Sequence, residues 1–271
     1  MYKGDKNMPV LGFIGTGNMG GALARAAAKG NNELLLANRS PEKAQKLIDE
    51  IGGKLCTNAE VAQQADFIFL GVKPQMMADM LEEIKPVLAK RRDRFFLVSM
   101  AAALTIDKIK EMAGGGYSVI RIMPNTPCAI GEGMILYSCG EDVGDAEQVF
   151  LKAMEAAGRF SKLPEKLIDA GSSVAGCGPA FVDLFVEALA DGGVACGLPR
   201  AQALEFAAQM VAGSAKLILE SGKHPGKLKD EVCSPGGTTI QGVRALEKGG
   251  FRSAVTEAVI AAYEKNFNLK I

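Results

Sequence analysis

The residues with the most specific chemistry form the segment LKDEVCSPGGTT, residues 228–239. A Gly-Gly pair follows Ser234-Pro235 and allows a sharp turn that brings bare N–H groups close to a ligand. The next residues have a helical pattern, so these N–H groups would lie at the positive end of a helix. Thr238 and Thr239 add two hydroxyls, and no side chain from Ser234 onward titrates near neutral pH. The segment predicts a site for a small anion; the alternative is a helix cap that happens to contain two glycines.

A second motif, GTGNMG at residues 15–20, follows the apolar run VLGFI and opens a helical stretch. In a dinucleotide-binding fold its three glycines allow the tight turn, the approach of a pyrophosphate and close packing of helix on strand. A second predicted strand ends near residue 37 and completes the βαβ unit. We therefore predict that this loop binds a dinucleotide through Gly15, Gly17, Asn18, Met19 and Gly20.

The residues after the second strand indicate which dinucleotide is bound. An NAD-preferring fold usually has Asp or Glu there to hold the ribose 2′-hydroxyl, whereas this chain has Asn38, Arg39 and Ser40. The planar cation of Arg39 suits a 2′-phosphate. NADPH is the predicted cofactor, with NADH as the alternative if Arg39 is only a solvated surface residue.

Further loops at the carboxyl ends of predicted strands should line the same crevice. Lys73, in the loop of residues 71–74, is a candidate general acid or cofactor contact, and a solvated lysine is the alternative. The loop of residues 123–127 contains Pro-Asn-Thr-Pro, which is typical of a rigid turn. His224, the one histidine, lies among glycines and prolines and is expected to be structural or solvated rather than a proton donor.

Composition limits the partners of the chain. Its 271 residues are 48% apolar, and 31 basic residues balance 31 acidic ones. This balance argues against a nucleic acid or an acidic membrane held by bulk charge. The six cysteines include no CxxC pair, so we expect no metal site and reduced cysteines in a cytoplasmic protein. The N-terminus lacks the apolar core of a signal peptide, and no apolar run is expected to reach the roughly 18 residues of a membrane span.

The order of predicted elements indicates an α/β fold: a Rossmann-type domain over residues 1–163, then an all-helical domain over residues 164–271. In the first part β-rich runs alternate with helices, which is typical of βαβ units and a mainly parallel sheet. Predicted strands are Val10–Ile14, Glu33–Ala37, Phe67–Val72, Phe95–Ser99, Val119–Met123 and Gly133–Tyr137. Predicted helices are Gly20–Lys29, Pro41–Glu50 (with Ser40 as its cap), Gln75–Leu88, Glu165–Ala190, Arg200–Glu220, Thr238–Glu247 and Arg252–Asn268.

The stretch Phe181–Leu189 is apolar or small on nearly every helical face, and such a helix should be buried. The helical domain offers few ways to cover it alone, which favours a subunit interface. The alternative is an ordinary core helix of the same subunit.

The motifs GTGNMG, VKPQ, MPNTP, AGCGPAF, ALADGGVACGLPR and HPGKLKDEVCSPGGTT occur in this order. Together they closely resemble the pyrroline-5-carboxylate reductase family, over essentially the whole chain. The resemblance implies NAD(P)H-dependent reduction of 1-pyrroline-5-carboxylate to L-proline, the last step of proline biosynthesis. It also implies a homo-oligomer, with dimers formed by the helical domain that often assemble further.

The resemblance also implies roles for individual residues. Thr239 would lie beside the ring nitrogen of the substrate, and its carboxylate would be held by Ser234, Gly237 and Thr238. Contacts to the cofactor would come from Asn58, Val72, Lys73, Pro74, Ala101 and Ala102. Many members have serine and tyrosine where this chain has Cys177 and Phe181, so hydrogen bonds from those hydroxyls are not carried over.

Two other readings remain open from the residues. A Rossmann reductase for β-hydroxy acids would need a lysine acid/base on its helical domain. Apart from Lys166 at a helix start, Lys216 is the one candidate within the two long predicted helices. A non-enzymatic dinucleotide-sensing module would bind NADPH without turning over an imine.

Overall fold

The computed structural model describes residues 8–30 and 32–267. These residues form two compact units, of which Gly178–Ala261 is one and the rest of the described chain is the other. The first unit contains an eight-stranded sheet, and the second is helical. The predicted fold class, a Rossmann-type domain followed by helices, is confirmed. The boundary predicted at residue 164 stays a prediction.

The sheet has the strand order β3-β2-β1-β4-β5-β6-β7-β8. Its strands are β1 (Val10–Ile14), β2 (Glu33–Ala37), β3 (Lys54–Leu55), β4 (Phe67–Leu70), β5 (Phe96–Ser99), β6 (Ser118–Met123), β7 (Gly133–Cys139) and β8 (Gly158–Lys162). Neighbouring strands are parallel except β6 and β7, which are antiparallel. The order reverses between β1 and β4, and such a reversal opens a ligand crevice beyond the carboxyl ends of the strands.

Every predicted strand is present, with its ends shifted by at most two residues. The strand predicted over Phe67–Val72 ends at Leu70. The N–H of the next residue, Gly71, still donates to the carbonyl oxygen of Ile14 at 2.8 Å, and a Cβ at Gly71 would collide with the carbonyl oxygen of Gly15. Sequence reasoning missed β3 and β8. The first has two exposed residues and the second reads GRFSK, so neither carries the alternating apolar pattern of a strand.

Helices pack on both faces of the sheet and make up the second unit. Their bounds are α1 (Asn18–Lys29), α2 (Pro41–Ile51), α3 (Asn58–Gln64), α4 (Met77–Leu88), α5 (Ile106–Ala113), α6 (Ala146–Ala153), α7 (Ile168–Ala175), α8 (Gly178–Ala195), α9 (Arg200–Ser221), α10 (Pro225–Val232), α11 (Thr238–Lys248) and α12 (Phe251–Phe267). The predicted helix Arg252–Asn268 has its last residue outside the described residues.

The single helix predicted over Glu165–Ala190 is wrong. The chain forms a short 3-10 turn, then α7, then α8. Between α7 and α8 the N–H groups of Gly176 and Cys177 both donate to the carbonyl oxygen of Ser172, at 2.7 and 3.0 Å. Glycines on both sides of Cys177 weaken the helix locally, so a continuous apolar pattern is divided into two helices.

Helix α10 was not predicted, because its start was assigned to a loop. The chain leaves α9 at Gly222, which has a φ of +63°. His224 then caps α10: its Nδ1 accepts a hydrogen bond from the N–H of Gly226 at 3.1 Å, and Pro225 occupies the first helical position. The structural role expected for His224 is therefore what the fold shows.

The two faces of the sheet are filled differently. One face combines aliphatic side chains with buried phenylalanines, where the rings of Phe13 and Phe69 stack with centroids 4.3 Å apart and those of Phe67 and Phe96 at 5.1 Å. Aliphatic side chains and methionines under α3, α4 and α5 fill the other. Offset aromatic pairs of this kind add to the stabilisation that comes from burial alone.

In the second unit, α8 leaves apolar side chains uncovered by the described chain. Leu184 is 68% exposed and Val182 45%, so the stretch Phe181–Leu189 is not the core helix of its own subunit. Glu165–Ala195, taken together, is long and apolar enough to cross a membrane by length and composition, contrary to the sequence-based expectation. Exposed apolar surface of this extent marks a binding surface.

Arg121 is a buried cation in the middle of β6, with a side chain 2% exposed. Its guanidinium pairs with Asp169 at 2.8 Å and with Glu165 at 3.4 Å. Glu165 also accepts a hydrogen bond from the N–H of Ile106 at 2.7 Å. This network holds the start of α5, the 3-10 turn and α7 against the sheet.

Replacing Arg121 should therefore destabilise the protein strongly. We expect Arg121→Ala to lower the free energy of unfolding by about 3 kcal/mol, because it leaves two carboxylates without their cation and opens a cavity. Lys152→Ala is the control: its pair with Glu155 is exposed, and the change should stay within about 0.5 kcal/mol. Urea unfolding of both variants makes the comparison, and equal losses would contradict the role given to Arg121.

Candidate functional site

The turn between β1 and α1 is held by close backbone packing. Gly15 has a φ of +99°, a backbone conformation that residues other than glycine rarely adopt. A Cβ at Gly15 would lie 2.6 Å from the carbonyl oxygen of Gly71, and a Cβ at Gly20 would collide with the carbonyl oxygen of Gly15. The N–H of Gly15 donates to the carbonyl oxygen of Ala37 at 2.8 Å. Glycines thus join the carboxyl ends of β1, β2 and β4.

Gly17 is different, because it faces open space. It is the N-cap of α1, and no heavy atom lies within 4 Å of the position where its Cβ would be. Helix α1 begins without a side-chain cap, so the N–H groups of its first turn, including those of Asn18 and Met19, are available to an anion. The backbone here has the form that a pyrophosphate requires.

Asn38 supports this turn from the end of β2. Its Oδ1 accepts a hydrogen bond from the N–H of Thr16 at 3.2 Å, and its Nδ2 donates to the carbonyl oxygen of Ser40 at 3.0 Å. Both ends of the amide are therefore used within the protein. Asn38 positions the glycine turn, and its direct contact with a cofactor stays a prediction.

Two cations lie beside the glycine turn. Arg39 and Lys43 line the same cleft, and within the described chain neither side chain makes an ion pair or hydrogen bond. Ser40 is the N-cap of α2, as expected, but its side chain makes no capping hydrogen bond, which corrects the predicted cap. The first turn of α2 therefore leaves N–H groups open next to two unpaired cations. This corner of the cleft suits a phosphate.

The opposite wall of the cleft is apolar, with an acidic edge. Val72, Met76 and Met80 supply the apolar surface, and Asp79 and Glu83 supply the edge. The whole cleft has a volume of about 390 Å³. It lies at the reversal of strand order, where an open α/β sheet binds its ligand.

The cleft brings together many of the predicted cofactor residues but not all of them. Gly15, Gly17, Asn38, Arg39, Ser40, Asn58, Val72 and Lys73 line it. Asn18, Met19, Gly20, Pro74, Ala101 and Ala102 are not part of its lining. Ala101 and Ala102 follow β5, the neighbour of β4, and next to them Ala103 has a φ of +62°. It is the one residue other than glycine with a positive φ in the described chain.

The loop after β6 is structural in the described chain. The buried Asn125 uses both ends of its amide, since its Oδ1 accepts from the N–H of Met134 and its Nδ2 donates to the carbonyl oxygen of Ala175, each at 3.0 Å. The Pro-Asn-Thr-Pro turn thereby ties β7 to the end of α7.

In the second unit, the segment before α11 has the predicted form. Gly236 has a φ of +72°, and Gly237 is the N-cap of α11, with its N–H donating to the carbonyl oxygen of Ser234 at 3.0 Å. Thr238 and Thr239 are the first two residues of the helix. Their hydroxyls and that of Ser234 are exposed and make no hydrogen bond within the described chain. Gly237 and not Thr239 occupies the N-cap, so the role of Thr239 in binding stays a prediction beside the alternative of a glycine helix cap.

Two ion pairs lie just before the Gly-Gly pair. Lys223 contacts Glu231 at 3.0 Å, and Lys229 contacts Asp230 at 2.6 Å. The hydrogen bond between Lys229 and Asp230 raises the pKa of the amine and lowers the pKa of the carboxyl. Both groups therefore stay charged near neutral pH. Residues 234–239 themselves offer hydroxyls and N–H groups only.

Comparison with known proteins finds matches to both parts of the chain. A family model described as pyrroline-5-carboxylate reductase dimerisation matches residues 165–269. A second, described as NADP oxidoreductase, coenzyme F420-dependent, matches residues 10–103. The pyrroline-5-carboxylate reductase of Escherichia coli (strain K12) is 44% identical over 269 residues, which cover 96% of this chain and 97% of that one.

The chain belongs to the pyrroline-5-carboxylate reductase family. Solved structures of the family have the same fold. The Plasmodium falciparum enzyme with NADP bound is 34% identical with a TM-score of 0.84, covering 95% of this chain and 98% of that one. The Coxiella burnetii enzyme is 30% identical with a TM-score of 0.88, covering 98% and 100%. The resemblance inferred from the sequence motifs is confirmed.

Sequence reasoning missed several residues of the cleft. Lys43 lies one helical turn after Ser40, and Met76, Asp79, Met80 and Glu83 share one side of a helix. The spacing was visible in the sequence, since residues three and four apart lie on one helical face. What the sequence did not show was which face of α4 meets the glycine turn.

The packing of the glycine turn gives a test with a matched control. We expect Gly17→Ala to fold normally, because the added methyl meets open space and the backbone is extended. It should nevertheless weaken NADPH binding about tenfold or more, since the methyl projects where a pyrophosphate must approach. Gly116→Ala, at an open position outside the cleft, should leave binding unchanged. Melting temperature and NADPH titration are measured on both; unchanged affinity in Gly17→Ala would refute the assignment.

Proposed function

We propose that this chain reduces 1-pyrroline-5-carboxylate to L-proline with NADPH, the last step of proline biosynthesis. Membership of the family supports the reaction, and the NADP-bound relative supports the cofactor. The observation that carries the proposal is the start of α11, where Thr239 offers an uncommitted hydroxyl beside open N–H groups.

The chemistry of a cyclic imine explains why no strong acid or base is needed there. NADPH, when bound, supplies a hydride to C5 of the protonated imine, and the ring nitrogen becomes an amine. The chain must then hold the carboxylate, orient the ring nitrogen and align the two reactants, and alignment alone is worth several kcal/mol. A helix start with hydroxyls and no titrating side chain suits the first two tasks.

On the substrate side we assign three tasks. The N–H groups at Gly237 and Thr238 and the hydroxyl of Ser234 hold the carboxylate. The hydroxyl oxygen of Thr239 accepts a hydrogen bond from the protonated ring nitrogen. All of these groups are exposed or partly exposed in the described chain.

On the cofactor side, Arg39 and Lys43 hold the 2′-phosphate, and the first turn of α1 holds the pyrophosphate. Asn38 keeps the glycine turn in place, and Ala101 and Ala102 lie where the cofactor would extend past the end of β5. NADPH is then favoured over NADH, because cations replace the carboxylate that would hold a ribose hydroxyl and repel a phosphate.

The exposed apolar side chains of α8 support a homo-oligomer, since the match to the dimerisation model covers them. We propose a dimer through this surface, able to assemble further, in the cytoplasm and without a nucleic-acid or membrane partner. Nothing favours the hydroxy-acid alternative: Lys216 is exposed on α9.

Thr239 gives the most direct test of the substrate site. Purified protein should consume NADPH with 1-pyrroline-5-carboxylate and form proline in equal amount. Thr239→Ala should lower kcat/KM roughly ten- to a hundredfold, the effect of losing a hydrogen bond to a charged group. Thr239→Ser should keep most of the activity because it keeps the hydroxyl, and neither variant should change NADPH affinity. An alanine variant with wild-type turnover would defeat the assignment, and so would equal losses of stability and activity in both variants.

Arg39 tests the cofactor preference. Arg39→Asp should weaken NADPH binding by about 2–3 kcal/mol, through the lost charge-assisted contact and the new repulsion. Lys46→Asp makes the same change of charge on α2 outside the cleft and should have a much smaller effect. Equal KM values for NADPH and NADH in the unmodified protein would refute the preference.

A further inference from the structure

The amide of Asn58 is held in one orientation by a carboxylate of the cleft. Asn58 begins α3, and its Nδ2 donates to Oε2 of Glu83 on α4 at 2.9 Å. A carboxylate can only accept hydrogen bonds, so the nitrogen end of the amide must face Glu83. The Oδ1 of Asn58 then points elsewhere and has no partner in the described chain. It is left as an acceptor at the edge of the cleft.

The surrounding surface determines what such an acceptor can meet. Val72, Met76 and Met80 form an apolar wall suited to the flat face of a purine. The ammonium of Lys73 also lines this side, next to Val72, whereas the polar groups beyond the two methionines, the carboxylates of Asp79 and Glu83 and the Oδ1 of Asn58, accept hydrogen bonds. A base seated on the wall must therefore present a donor at this edge.

The side of the cleft next to α2 favours the phosphate groups of a ligand. Arg39 and Lys43 lie there with the open start of α2, while the two carboxylates would repel a phosphate. The cleft thus has a cationic corner and an accepting edge. Adenine carries one donor group on its ring system, the exocyclic amine at C6.

We propose that Glu83 is a positioning residue, which turns the amide of Asn58 so that its oxygen accepts from the exocyclic amine of adenine. This selects adenine over a purine with a carbonyl group at C6, because that carbonyl would face another acceptor. The inference rests on the proposed binding of NADPH in this cleft and adds which part of the cofactor is read there.

The reduced cofactor analogue with hypoxanthine in place of adenine tests the proposal, since it puts a carbonyl where the amine would face Asn58 and moves its donor to N1–H, on the adjacent ring atom. The unmodified protein should prefer NADPH by about tenfold in both Kd and kcat/KM, the scale of one hydrogen bond exchanged for an unpaired acceptor. Glu83→Gln keeps the size of the side chain but can donate as well as accept, so Asn58 can turn over. The preference should then fall to about threefold or less.

Two further variants complete the design. Glu82→Gln removes a charge from the neighbouring residue, which pairs with Lys85 outside the cleft, and should keep the tenfold preference. Asn58→Ala removes the acceptor assigned to the amine and should lower the preference to about threefold or less, as Glu83→Gln does. An unchanged preference in Glu83→Gln overturns the proposal, as does equal use of both cofactors by the unmodified protein; the latter is expected if Asn58 contacts a ribose hydroxyl instead. The affinities for NADPH and for its hypoxanthine analogue are measured without substrate. A protein that prefers NADPH in binding but forms no proline would therefore refute only the proposed reaction.

Discussion

The cofactor cleft depends on a close backbone contact between the glycines that follow β1 and β4. Gly15 approaches the carbonyl oxygen of Gly71 so closely that a Cβ would not fit, and Gly20 is packed against Gly15 in the same way. This contact fixes the ends of β1 and β4 and the start of α1 relative to one another. The open backbone at Gly17 and the wall that begins at Val72 follow from it. A larger side chain at Gly15 would displace both sides of the cleft at once.

The two candidate binding regions differ in the kind of polar group that they offer a ligand. The cleft of the first unit uses full charges, with cations at one corner and carboxylates at the other edge. Residues 234–239 use only hydroxyls and backbone dipoles, and two ion pairs, Lys223 with Glu231 and Lys229 with Asp230, lie before them. This division fits the reaction. A phosphate of the cofactor needs a lasting countercharge, whereas the protonated imine loses its charge during the step and is better served by neutral, fixed groups.

The sequence predicted the features that local rules determine. Apolar runs located the strands, and the glycine spacing of residues 15–20 located the turn between β1 and α1. Local rules also gave the glycine-rich start of α11. They failed where the hydrogen bonds of one or two residues, rather than an apolar pattern, decide where a helix begins or ends. The break between α7 and α8 comes from hydrogen bonds to Ser172 within an apolar pattern, and the start of α10 comes from a cap made by His224.

The charged and polar residues show the same limit. Arg39 was assigned from its position after β2, but Lys43 and Glu83 became visible only when the helices were placed around the cleft. Asn38 was predicted to contact the cofactor, which stays a prediction, and the sequence did not indicate its hydrogen bonds to the glycine turn and to Ser40, the N-cap of α2. The hydrogen-bond partner of a side chain depends on how helices and strands pack together. The periodic pattern of apolar residues in the sequence does not show that packing.

The central claim, transfer of a hydride from NADPH to the imine carbon, is tested most directly by isotope transfer. NADPH carrying deuterium at both C4 positions is supplied with 1-pyrroline-5-carboxylate, and the proline formed is analysed by mass spectrometry and NMR. A single deuterium at C5 of proline is the predicted result, because the cofactor supplies the hydride and the chain only positions the reactants. Proline without deuterium at C5, or no proline at all, would contradict the account.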